Sequence, residues 1–211
     1  MKKIITFTFL LFMMISTSYA QHPFTEFKVG FLDPSGASTG FYGGVNFGRA
    51  VDENVGVSLG LDVYRRSYTE ETVIKNVEVG EGVRQDIAKS IDQSITMIPI
   101  FLQFHYTGNL SPVFNLRVTG GFGYELLWNG VTNYETKEDD TEFYGGWGWH
   151  LDAGVSYPLS RASDLYGEVT YTGGSPSRDA GETADGLPVR SEIDMSGFGA
   201  RIGIRLYGLG F

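Results

Sequence analysis

The chain has 211 residues and a formal charge of −9, enough length for one domain with a sizeable core or one mid-sized barrel. It has no cysteine, which excludes disulfide staples and a lipid attached to a leading cysteine, and its acidic balance argues against a nucleic-acid partner. Glycine contributes 29 residues, about twice the share of an ordinary globular chain, scattered through apolar segments rather than gathered in a block.

Residues 1–20 read as a secretory signal: Lys2 and Lys3 supply the charged start, Ile4 to Ile15 the apolar run, and Ser18-Tyr19-Ala20 a small-residue cleavage site. The mature chain is expected to begin at Gln21, with 14 basic against 25 acidic residues, a formal charge of −11 once Lys2 and Lys3 are removed. No later stretch approaches the ~20 apolar residues that a spanning helix requires.

Residues 21–211 then alternate with period two in eight segments. Phe27, Val29 and Phe31 oppose Glu26, Lys28 and Gly30; Phe41, Val45 and Phe47 oppose Tyr42, Gly44, Asn46 and Gly48. The third segment sets Val55, Val57, Leu59, Leu61 and Val63 against Gly56, Ser58, Gly60, Asp62 and Tyr64. A polar stretch from about Thr69 to Gln93 follows, in which Val83, Ile87 and Ile91 suggest a short helix. The fourth strand, Ile95 to Tyr106, places Ile98, Ile100, Leu102, Phe104 and Tyr106 on one face, with Pro99 expected to force a bulge. In the fifth, Val113 to Trp128, Phe114, Leu116, Val118, Phe122, Tyr124 and Leu126 oppose Arg117 and Glu125, and Asn129 to Glu142 reads as an acidic loop. The sixth sets Trp147, Trp149, Leu151, Val155 and Tyr157 against His150 and Asp152, and the seventh sets Leu165, Val169 and Tyr171 against Tyr166 and Glu168. A loop from Gly173 to about Asp194 leads to the closing strand, in which Phe198, Ala200, Ile202, Ile204 and Leu206 alternate with glycine, Arg201 and Arg205.

The links after strands two, four and six are tight and those after three, five and seven long, so an up-and-down barrel would gather its short turns at one rim. Aromatic side chains on the apolar face then fall into two groups: Phe47, Phe104, Tyr106, Phe114 and Tyr157 near the short-turn rim, and Phe41, Trp128, Trp147, Trp149, Tyr171 and Phe198 near the other. Two aromatic girdles around a belt of valine, leucine and isoleucine are what anchoring at two membrane interfaces predicts. The opposite face carries Lys28, Asp62, Arg117, Glu125, His150, Asp152, Glu168, Arg201 and Arg205. An eight-stranded barrel is only wide enough for side chains to fill, so these charges are expected to plug the lumen as an ion-paired network. Arg201 is expected to pair with Glu168 and Arg205 with Glu26, and inward glycines to make room for the arginines. A soluble lipocalin-like carrier would need an apolar lumen instead.

Chemistry is sparse. His22, His105 and His150 are the histidines; none faces lipid, and His150 with Asp152 reads as part of the interior network rather than a hydrolytic site. No metal-ligand spacing or phosphate loop appears, so neither metal nor cofactor is expected. The run Glu135 to Glu142 reads as a solvated, repulsive loop in preference to a divalent-cation site among lipopolysaccharide phosphates.

The glycine-rich second and third strands, Thr96-Met97-Ile98-Pro99-Ile100-Phe101-Leu102, and the closing Ile202-Gly203-Ile204-Arg205-Leu206 resemble the small eight-stranded outer-membrane barrels of the OmpA/OmpX type, within the porin-like outer membrane protein beta-barrel domain family. The resemblance implies an all-β, antiparallel up-and-down transmembrane barrel with short periplasmic turns, in a Gram-negative cell envelope. It also implies a monomer in outer-membrane lipid and lipopolysaccharide, inserted by an assembly machinery that reads the terminal strand. Phe211 suits that machinery, although the alternation that turns Leu206 outward turns Tyr207, Leu209 and Phe211 inward, so either a bulge re-phases the end or the strand stops at Leu206. The expected function is structural or loop-mediated surface interaction without catalysis; a narrow porin-like channel and a lipid-modifying enzyme are the alternatives.

Overall fold

The computed structural model describes residues 23–79, 82–134, 138–182 and 187–209. The signal segment, His22 and Phe211 lie outside them, as does the Glu135 to Lys137 part of the acidic run. The strands are β1 Pro23–Pro34, β2 Gly40–Ala50, β3 Val55–Val79, β4 Gly82–Asn109, β5 Asn115–Asn133, β6 Glu138–Ser160, β7 Ser163–Gly174, β8 Ser177–Glu182, β9 Pro188–Glu192 and β10 Gly197–Tyr207. β1 to β7 pair antiparallel in sequence order, and β10 enters between β7 and β1. The sheet therefore closes on itself as an eight-stranded antiparallel barrel, which leaves no free edge in the wall.

Three tight turns and both ends of the barrel chain share one rim, the near rim. Asp52 Oδ1 accepts from the backbone N–H groups of Asn54 and Val55 at 2.8 and 2.7 Å, and Ser111 Oγ accepts from Phe114 N at 3.0 Å. These side chains stand in for ladder partners where the chain reverses. At the opposite, far rim, β3 and β4 run to 25 and 28 residues. β1 and β10, by contrast, have 12 and 11, close to what a tilted strand needs to cross a hydrocarbon core of ~30 Å. The surplus of β3 and β4 is a two-stranded ribbon standing beyond the barrel.

That ribbon replaces the helix expected around Val83 to Ile91: the segments pair as β3–β4 out to Val79 and Gly82, with register shifts at Glu70/Glu71 and Val73/Lys75. The acidic stretch from Asn129 likewise continues β5 and β6, which pair out to Asn133–Glu138. The loop after β7 holds the β8–β9 hairpin, which touches β6 through Ser177 and Gly145. Pro99 produces no bulge. The β3–β4 ladder passes from Leu61–Ile100 to Tyr64–Met97 in unchanged register, and the β4–β5 ladder continues through Pro99–Glu125. The lost N–H is absorbed as a gap in one ladder while the other holds the strand straight.

Strand β10 ends at Tyr207, one residue past Leu206, without a bulge. Tyr207 donates its hydroxyl to Asp164 at 2.6 Å, and Gly208 then turns the chain at φ 81°, a conformation that glycine adopts without strain.

Candidate functional site

The inward face of the wall is polar at mid-height and apolar at the far rim. Lys28 Nζ lies 3.0 Å from Asp62 Oδ2. Arg201 reaches three carboxylates, Asp62 at 3.2 Å, Asp152 at 2.8 Å and Glu168 at 2.9 Å. Glu168 also lies 3.4 Å from Arg117, whose other nitrogen is 2.6 Å from Glu26. Glu26 completes the chain by accepting from Arg205 at 2.6 Å and from Asn46 at 2.7 Å. All these side chains are buried, so the network runs from Lys28 to Arg205 through alternating charges. The long cations are also covered by rings: Arg117 lies 4.1 Å above Tyr166, Arg201 4.9 Å above Tyr42 and Arg205 4.1 Å above Phe24.

Of the residues singled out in the sequence, Lys28, Asp62, Arg117, Asp152, Glu168, Arg201 and Arg205 meet in this network, and His150 Nδ1 lies 3.0 Å from Asp152. Glu125 does not join. It is 1% exposed, its carboxylate lies over Gly148 and Gly174, and neither oxygen has a hydrogen-bond partner among the described residues. The side chains nearest the inward glycines are not the arginines: Gly44 faces Asp62, Gly121 faces His150, and Gly203 faces Tyr166. Short acids and rings lie flat against the wall and need its Cβ positions empty, whereas the arginines reach across the lumen.

Glu26 is the hub that sequence reasoning reduced to a partner of Arg205; alternation gives its side of the wall, not its number of partners. His105, read only as a histidine that does not face lipid, likewise has partners that alternation does not give. Its ring nitrogens meet Ser58 Oγ at 2.6 Å and Thr119 Oγ1 at 3.0 Å, at the base of a recess of ≈ 90 Å³ in the near rim. This Ser–His contact is buried within the wall, and hydroxyls rather than a carboxylate orient the ring.

Above the network the lumen is stopped by Leu32, Tyr42, Tyr64, Ile95, Met97, Leu127, Tyr144 and Met195, with Ala37 and Ile193 packed against them. Met195 comes from the segment between β9 and β10, which lies over the mouth as a lid together with residues 35–38. Ser35 N and Gly36 N donate to Ser196 O and Asp194 O at 2.8 and 2.6 Å, and Met195 N to Gly174 O at 2.9 Å. Tyr42 joins plug to network, donating its hydroxyl to Asp62 at 3.2 Å.

The exterior is apolar. Phe47, Phe104, Tyr106, Phe114 and Tyr157 stand exposed toward the near rim, and Phe41, Trp147, Trp149 and Phe198 toward the far rim, with Trp128 half-buried against Phe143 at 5.4 Å. Tyr171 lies between Trp149 and Phe198, with ring centres 5.6 and 4.7 Å away. Trp147 stacks on Phe122 at 5.2 Å and meets Tyr124 edge-on at 5.5 Å, so the far girdle extends onto β5. The belt between the girdles is not purely aliphatic, since Phe27 stands in it between Val45 and Ile204.

Over residues 10–174 the sequence matches the family model described as outer membrane protein beta-barrel domain. Among solved structures, a major outer membrane protein from Thermus thermophilus is similar over 90% of this chain and 100% of that one, at 17% identity and a TM-score of 0.58. Escherichia coli outer membrane protein W covers 89% of this chain and 97% of its own, at 17% identity and a TM-score of 0.48. Neisserial surface protein A covers 88% and 96%, at 15% identity and a TM-score of 0.48. At these identities the likeness is one of fold. No curated protein matches the sequence.

Proposed function

This chain belongs to the outer membrane protein beta-barrel domain family, and from that premise we propose that it is a closed, non-conducting barrel acting through its far-rim ribbons in surface interaction. The observation that carries the reading is the doubly filled lumen: a continuous buried ion-pair network at mid-height and an apolar plug under a hydrogen-bonded lid above it. A solute crossing the barrel would have to break both. Separating Arg201 from its carboxylates alone would cost about 3–5 kcal/mol, the scale of breaking a buried pair.

The near rim, with its short turns and both chain ends, faces the periplasm in this reading, and the ribbons of β3–β4 and β5–β6 stand outside the cell. The protein works as a monomer in lipid and lipopolysaccharide, inserted by the outer-membrane assembly machinery, and carries no catalytic step. Planar-bilayer recording of the purified protein tests the central claim. A quiet bilayer with verified insertion is expected, and reproducible unitary conductance steps would replace the closed barrel with a narrow pore.

A further inference from the structure

Between the lid and the ribbon lies a recess of ≈ 380 Å³, lined by residues 35–38, Arg66, Tyr68, Gln93 and Ile95. Its volume is in the range of small-molecule sites. The plug beneath it makes it blind. We propose that this recess binds a small hydroxylated carboxylate, of the kind a hexuronate exemplifies, presented from outside the cell; the outward presentation rests on the orientation proposed above, while the site's chemistry does not.

Four features of the lining specify that class. Arg66 is exposed in the recess, has no ion-pair partner among the described residues, and no carboxylate lines the wall beside it. A guanidinium left in that state offers a planar fork to a carboxylate. Tyr68 stands 54% exposed next to it, a ring face on which the C–H side of a sugar can lie. Gln93 donates its amide to Asn129 at 3.1 Å, which fixes the side chain and leaves its oxygen to accept from a ligand hydroxyl. Ala37 and Ile95 make the floor apolar, and the backbone donors of Ser35 and Gly36 are already committed to the lid.

The two recesses beside the ribbon differ in charge. The second, ≈ 480 Å³ in volume, is lined by Asp92, Asp139 and Asp140 together with serine and threonine hydroxyls, and by no cation. An anion thus meets Arg66 in the first recess and three aspartates in the second.

The full-length protein in detergent micelles, titrated with sodium glucuronate by calorimetry and ligand-observed NMR, tests the site. Glucose and inorganic phosphate separate the hydroxyl and anion contributions. Saturable millimolar binding of glucuronate is expected, with glucose and phosphate each much weaker. Arg66→Gln should weaken it about tenfold, the scale of one charge-assisted hydrogen-bond pair. Arg65→Gln, one residue along β3 and on the opposite face, should leave binding unchanged and serves as the folding and charge control. Absence of saturable binding to folded wild-type protein overturns the proposal, as does Arg66→Gln binding like wild type. Phosphate binding as tightly as glucuronate would reduce the recess to a plain anion patch and overturn it too. Conductance steps with glucuronate binding intact would sink the closed-barrel reading and leave this site standing.

Discussion

Arg201 touches three acids that no other described cation could satisfy together, and its loss would leave Asp62, Asp152 and Glu168 competing for Lys28 and Arg117. Arg201→Leu should therefore lose about 3–5 kcal/mol of stability, measured by urea unfolding in lipid vesicles, while the protein still fractionates with the outer membrane. Glu125, nearer the lid, makes the opposite case. Because neither of its oxygens has a hydrogen-bond partner to forfeit among the described residues, Glu125→Gln should match or exceed the wild-type urea midpoint. A loss as large as that of Arg201→Leu would mean that Glu125 is held by a charge after all. The two substitutions separate carboxylates that carry the network from one merely enclosed by it.

At the scale of elements, the lid is the part with a simple chemical test, because the chain contains no cysteine of its own. Thr172 is 1% exposed and donates its hydroxyl to Met195 O at 2.9 Å. A cysteine placed there by Thr172→Cys should resist a charged thiol reagent in the folded barrel. Adding Met195→Glu, which drives a charge into the plug, should make it react. Equal reactivity in the two proteins would show that the lid does not seal the mouth. The strands of the wall were legible because lipid on one side and polar groups on the other impose strict alternation. Beyond the far rim the alternation in the sequence fades, and the polar stretch from Thr69 to Gln93 reads as loop or helix although its backbone forms a ribbon. The plug was illegible for another reason. Met195, Ile193 and Ala37 belong to segments without periodicity, and their contacts with Leu32, Tyr64 and Leu127 join distant parts of the chain.

For the whole molecule, all three tryptophans, Trp128, Trp147 and Trp149, lie in the far girdle, so intrinsic fluorescence reports one interface only. Lipids brominated near the headgroup should quench the reconstituted protein more than lipids brominated at the chain ends. The reverse order would place the far girdle at mid-bilayer and shift the membrane along the barrel. The fold class and the side of the wall taken by each alternating residue followed from the pattern alone, but the cross-lumen partners did not, because alternation carries no information about reach across the interior. The lid has one more consequence, for assembly. Its two halves, residues 35–38 and 193–196, follow β1 and precede β10, the strands whose pairing shuts the cylinder. The Ser35–Ser196 and Gly36–Asp194 bonds continue that seam past the Pro34–Gly197 pair, so the lid is a clasp across the closing seam. A barrel with an open seam would lack the clasp that holds Met195 over the mouth.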